Sequence, residues 1–95
     1  MQLQWTEAAE QYLEQINAYY TEQAGSRLAA DNVLAIIHSA NALLEMPNRS
    51  RPGRVPNTRE LVLQDLPFLL PYRVVGNSIQ ILRVFHTARQ PPEQW

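Results

Sequence analysis

The stretch "PFLLPYRVVGNSIQILRVFH", residues 67–86, decides the fold. Two apolar runs, 68–75 and 78–85, flank Gly76-Asn77. A two-residue insert of this type between strand-like runs is a β-hairpin signal. The turn also sets a register. Val75 falls opposite Ser78, Val74 opposite Ile79, Arg73 opposite Gln80 and Tyr72 opposite Ile81. Continued without interruption, Phe68 falls opposite Phe85. One face then carries Phe68, Leu70, Tyr72, Val74, Ile79, Ile81 and Phe85, with Arg83 as its single charge. The other carries Leu69, Pro71, Arg73, Gln80, Leu82, Val84 and His86, a mixed surface available to a partner. Pro71 has no N–H for a ladder, so an edge position or a bulge is expected there.

Working outward, Met1, Leu3 and Trp5 alternate with Gln2 and Gln4, which predicts a short half-buried strand. Thr6 is an N-cap type, and Glu7 and Glu10 complement the positive end of a helix dipole. Ala9, Leu13, Ile16 and Tyr20 then recur at helical spacing, flanked by Tyr12 and Tyr19. Ala24-Gly25-Ser26 breaks this helix, with Ser26 suited to cap a second. Val33, Ile36, Ile37, Ala40, Leu43 and Leu44 form the second apolar stripe, which stops at Met46-Pro47. The predicted order is β-α-α-β-β-β, an α+β domain. Its helical hairpin, over residues 6–46, packs on one face of a small, mostly antiparallel sheet. Residues 1–90 are expected to form this single domain, and the proline-containing tail 91–95 to be extended or disordered.

Composition narrows the function. The chain has 95 residues and no cysteine, which excludes disulfides, thiolate metal sites and a cysteine nucleophile. No run approaches the ~18 apolar residues of a membrane span, and the N-terminus has no h-region. A soluble cytoplasmic protein is expected. The net charge of −1 argues against a generic nucleic-acid binder. Its distribution is uneven: residues 1–48 hold one of the eight arginines, Arg27, and six of the nine acids. There is no lysine, and arginine suits planar, bidentate contacts with phosphate or carboxylate. The glycines at 25, 53 and 76 fit turns rather than a phosphate loop, and His38 and His86 have no metal-ligand spacing. No cofactor and no metal are expected.

Between the helices and the hairpin, "RPGRVPNTREL", residues 51–61, holds Arg51, Arg54 and Arg59 among two prolines and a glycine. Residues 51–56, preceded by Arg49, read as a proline-stiffened, solvated basic loop; the alternative is a preset basic edge that touches a partner. Arg59 enters the strand beside the 68–75 run, which places its guanidinium near Arg73. Two such cations require an anion between them, and Glu60 stands on the opposite pleat. Arg83 is expected to pair with a helix carboxylate such as Glu10 or Glu14. The tyrosines and Trp5 read as core or rim aromatics, and Trp95 as part of the loose tail.

The strings "RPGRVPNTRELVL" and "PYRVVGNSIQILRVFHTARQ", with the leading LxW strand and the helical hairpin, resemble the RelE/ParE superfamily of type II toxin–antitoxin toxins. The resemblance covers essentially the whole chain and is greater to the ParE branch. It implies a toxin neutralised by a cognate antitoxin that lays a helix and an extended segment across its surface. Operator DNA would be reached only through the antitoxin. ParE toxins are associated with DNA gyrase poisoning, whereas RelE toxins cleave messenger RNA in the ribosomal A site. The fold alone cannot choose between these.

RNA cleavage requires a base, a phosphate-binding cation and a proton donor around one phosphate. If the chain were a nuclease, Arg59, Arg73, His86 and Arg89 would have to supply them. RelE-type lysines are missing, and the ring after "HTARQ" is Trp95, which exchanges no proton. In the hairpin register Arg73 also stands far from His86. No catalytic set is favoured. Arg51, Arg54, Arg59, Arg73, His86 and Arg89 are instead expected to bind partners: the antitoxin, and gyrase as the target. A degenerate toxin acting only in autoregulation is a further alternative.

Overall fold

The computed structural model describes residues 1–48 and 50–87. The elements run β1 (Gln2–Trp5), α1 (Glu7–Ala24), α2 (Ser26–Ala42), β2 (Arg51–Pro52), β3 (Arg59–Val62), β4 (Phe68–Val75), β5 (Ser78–Ile81) and β6 (Phe85–His86). The strands form one mixed sheet in the order β1-β5-β4-β3-β2, with β6 following β5 along β4. Every pairing is antiparallel except that of β1 with β5. The expected α+β architecture is present, with β2 and β6 as additional two-residue strands.

Helix α1 starts where its cap predicts. Thr6 is extended (φ −67°, ψ 161°), and its Oγ1 accepts the Ala9 N–H at 3.1 Å. The same hydroxyl donates to the Leu82 carbonyl at 3.0 Å, fastening the helix start to the sheet. A single residue, Gly25, separates the helices, and its φ of 95° suits a residue without Cβ. Ser26 is therefore the first residue of α2 rather than its cap, and no side chain caps that helix. At the far end, i→i−3 bonds from Leu43 and Leu44 tighten the chain before Pro47.

The helices cover the predicted hairpin face. Ala9, Ile36, Ala40 and Leu43 meet Phe68, Leu70, Tyr72, Ile79 and Ile81, and all nine are buried. Leu3 and Trp5 extend this face through β1, opposite Ile79 and Ile81. Gly76, first of the two turn residues, has φ 58°, as a glycine-first hairpin turn requires.

The hairpin register holds from Val75↔Ser78 to Tyr72↔Ile81 and then slips by one residue. Further along, Leu69 pairs with Phe85 and Phe68 with His86. Leu70 and Pro71 thus oppose three residues, 82–84, which is a β-bulge across from the proline. Pro71 offers no N–H, but its carbonyl accepts from Leu82 at 2.8 Å. The slip exchanges the faces of everything beyond it. Phe85, expected opposite Phe68, pairs instead with the buried Leu69 and borders the groove beside α1. His86, expected on the open face, moves to the helix side with Phe68. Val84 also leaves the open face and is 2% exposed within the core.

Candidate partner-binding surfaces

Residues 51–56 are largely exposed, as their composition suggests, but they are not a free connector. Arg51 and Pro52 pair with Glu60 and Arg59 as a short ladder, and the Glu60 carboxylate gathers the segment around itself. Its Oε1 accepts from Arg51 Nε at 3.2 Å and Nη2 at 3.1 Å. Its Oε2 accepts the Arg54 backbone N–H and Nε, both at 3.1 Å. The Glu60 side chain is 3% exposed, against 57% for Arg51 and 31% for Arg54. Burial pushes the carboxyl pKa up. The hydrogen bonds from Arg54 and Arg51, with the Arg54 charge, more than offset this, and the pKa ends below its ordinary value. Arg51 and Arg54, expected to bind partners, are thus first of all members of an internal clamp.

The turn that makes the clamp possible rests on two residues. Asn57 adopts φ 66°, which asparagine tolerates better than most residues. Gly53 donates its N–H to the Thr58 carbonyl at 2.8 Å, and a Cβ on Gly53 would run into Thr58 Oγ1. That hydroxyl is fixed by donating to the Val55 carbonyl at 2.6 Å.

Arg59 and Arg73 do not come together. Arg59 pairs with Tyr72 and shares its helix-side pleat, while Arg73 is on the open face opposite Gln80. Arg59 Nη1 instead donates to the Asn48 and Ser50 carbonyls, at 3.1 and 2.8 Å. Tyr72 Oη donates to the Pro47 carbonyl at 2.7 Å, so the two side chains jointly hold the connector after α2. Arg83 reaches α1 as expected, but its partner is not a carboxylate. Its Nη1 donates to Tyr12 Oη at 3.1 Å, with the guanidinium 5.7 Å from the Tyr12 ring centre.

Two surfaces among the described residues are candidates for a partner. The first is the open sheet face, where Arg73 is exposed and its Nε donates to Gln80 Oε1 at 2.7 Å. Gln80 Nε2 in turn lies 3.5 Å from Gln4 Oε1 on β1. The second is a groove of about 390 Å³ between α1 and the β4–β6 end of the sheet. Tyr12, Ile16, Tyr19, Tyr20 and Phe68 supply its aromatic and apolar wall, and His86 its polar rim. The His86 ring stands edge-on to Phe68, 5.4 Å between centres at 89°. Arg49, Arg89 and the tail 91–95 with Trp95 lie outside the described residues.

The described candidate nuclease residues, Arg59, Arg73 and His86, are accordingly dispersed. His86 pairs with Phe68, five residues along β4 from Arg73, a separation of about 17 Å at ~3.3 Å per residue. The two also occupy opposite faces of the sheet. Among the described residues no three His, Asp or Glu side chains cluster to hold a metal ion, and no helix is long and apolar enough to cross a membrane. The sequence reading overlooked Glu60 as an anchor; a lone acid closing a Pro56-Asn57 turn that carries two arginines was the available signal. It placed Gln80 opposite Arg73 without assigning it a role.

Comparison with known proteins agrees with this architecture. Residues 3–91 match the family model described as ParE toxin of type II toxin-antitoxin system, parDE. A relative from Sinorhizobium fredii (strain NGR234), named "Putative toxin Y4kP", is 41% identical over 91 residues, 96% of this chain and 93% of that protein. A solved chain from the chromosomal ParDE TA system of P. aeruginosa superposes with a TM-score of 0.86 at 36% identity. That match covers 90% of this chain and 95% of the other. With the family model spanning nearly its full length and the fold matching a ParDE structure, this chain belongs to the ParE toxin family of type II toxin–antitoxin systems.

Proposed function

We propose that this protein is a cytoplasmic toxin that inhibits DNA gyrase by binding it, and that a cognate antitoxin holds it inactive. In this reading the toxin stabilises a cleaved gyrase–DNA intermediate and makes no cut of its own. It meets operator DNA only through the antitoxin, and residues 1–90 act as one domain. The observation that carries the choice of binding over cutting is the dispersal of the candidate acid–base groups. Arg59 is turned into the α2–β2 connector, Arg73 is on the open face, and His86 is against Phe68 on the other side. One scissile phosphate cannot touch all three, whereas a protein partner spanning the sheet edge can meet Arg73 and the aromatic groove separately. The antitoxin occupies these two surfaces.

The test is a supercoiling assay with purified toxin freed of antitoxin. The expected result is loss of gyrase supercoiling with accumulation of linear DNA, restored by added antitoxin. Unaffected supercoiling, with codon-phased cuts on a translated message instead, would replace the binding mechanism by ribosome-dependent RNA cleavage.

A further inference from the structure

We propose that Gln80 is a positioning residue of the neutralising interface: it aims the Arg73 guanidinium as a preset fork for one carboxylate of the antitoxin. The inference rests on the reading above, that the antitoxin covers the open sheet face. It starts from how the arginines of the sheet are used. Arg51 and Arg54 are held by Glu60, Arg59 by the Asn48 and Ser50 carbonyls, and Arg83 by Tyr12. Arg73 meets no carboxylate among the described residues; its bond goes to the neutral Gln80 amide.

That bond determines which part of the cation is left for a ligand. Guanidinium has five N–H groups in a planar fork. Nε is taken by Gln80 Oε1 at 2.7 Å, which leaves the two terminal nitrogens as a pair. A pair of this kind matches the two oxygens of a carboxylate. Gln80 is itself half-buried between Arg73 on β4 and Gln4 on β1, so its amide is confined by both neighbours. The 3.5 Å contact with Gln4 is long for a hydrogen bond, and the orienting role falls on Gln80.

The surroundings select a carboxylate over a nucleic-acid backbone. The same pleat around Arg73 carries Gln2, Gln4, Gln80 and Ser78, all neutral, and beyond Pro71 it carries Glu60, whose carboxylate is already taken by Arg51 and Arg54. Phosphate-backbone binding gains strength from several cations acting together. With Arg51 and Arg54 on this face held by Glu60, Arg73 is the arginine here that meets no carboxylate among the described residues; it suits a single side-chain carboxylate, and the hydrogen-bonding glutamines suit the peptide groups beside it.

The experiment titrates the full-length toxin with the protein encoded by the adjoining antitoxin gene, following heat on binding. Wild type, Arg73→Ala, Gln80→Ala, Gln80→Glu and the Arg73→Ala/Gln80→Ala double variant are compared, each first checked for an unchanged melting temperature. Arg73→Ala is expected to weaken binding about 10- to 100-fold, as for a lost charge-assisted hydrogen-bond pair. Gln80→Ala is expected to weaken it about 3- to 10-fold by releasing the arginine rotamer, and to have no further effect once Arg73 is gone. Gln80→Glu supplies an internal carboxylate and should match Arg73→Ala. If Arg73→Ala weakens binding while Gln80→Ala binds like wild type, or if the two losses add, the positioning role is overturned and the antitoxin contact stands. If Arg73→Ala binds like wild type, or the loss falls on nucleic-acid affinity instead, the assignment of this face to the antitoxin fails with it.

Discussion

Replacing Glu60 by glutamine preserves the side-chain volume and removes the charge at the centre of the arginine clamp. The carboxylate accepts four N–H groups, two on each oxygen, from Arg51 and Arg54. An amide has one accepting oxygen and one donating nitrogen. Whichever way it is turned, two donors of one arginine face an N–H₂ group. Hydrogen bonds to a charged group contribute about 1.5–3 kcal/mol each when one partner is deleted. That figure must be reduced here, because Arg51 is 57% exposed and water can take over its lost bonds. The net loss expected is about 2 kcal/mol, or ~10 °C in melting temperature for a domain of this size.

The pH dependence separates this account from a packing effect. The folded pKa of Glu60 lies below its unfolded value. Its stabilisation is therefore fully present above the unfolded carboxyl pKa, about 4.3, and is lost as pH falls through the folded pKa. Urea unfolding at 25 °C should show the ~2 kcal/mol gap between wild type and Glu60→Gln at pH 7, closing as the pH drops below about 4. Hydrogen exchange at pH 7 should also quicken at the Gly53 amide, which bonds Thr58 within the clamped turn. A gap that is zero at pH 7, or that stays the same across the acid range, would show that the clamp does not act through the ionised carboxylate.

Gly53→Ala should destabilise the domain by about 1–3 kcal/mol, since the added methyl meets Thr58 Oγ1 and backbone that cannot shift easily. Thr58→Ala in the same chain should recover part of that loss, so denaturation of the double variant must fall short of the summed single effects. Thr6→Ala removes a helix cap and a bond to the Leu82 carbonyl together, and should lower stability by about 1–2 kcal/mol in thermal unfolding. Thr6→Ser keeps both bonds and should be nearly neutral.

The architecture was legible where short-range rules act alone. Thr6, Gly25 and Gly76 mark a helix start, a helix break and a hairpin turn by their own conformational preferences, and the apolar stripes assign the buried faces. The hairpin register from Val75 to Tyr72 was readable for the same reason: two turn residues and a period of two determine it. The candidate site was less legible. Counting from the turn places His86 on the open face, and the bulge opposite Pro71 returns it to the helix side beside Phe68. Arg59 and Arg73 stand on adjacent strands, yet Arg59 aligns with Tyr72, one residue away from Arg73's row. Glu60 reads as an ordinary strand acid until the chain folds Arg51 and Arg54 over it.

By itself, then, the sequence determined the order of elements, the covered face of the sheet and the excess of arginine over acids in the second half. These depend on residue type and spacing within a few positions. The tertiary structure decided that, among the described arginines of the sheet, Arg51, Arg54, Arg59 and Arg83 bond within the domain while Arg73 meets only the neutral Gln80. That depends on strand offsets and on contacts between residues such as Gln80 and Gln4, 76 positions apart, whose meeting no local preference encodes. A single extra residue in a bulge inverts every side chain after it, so the faces beyond Pro71 belong to the fold as a whole.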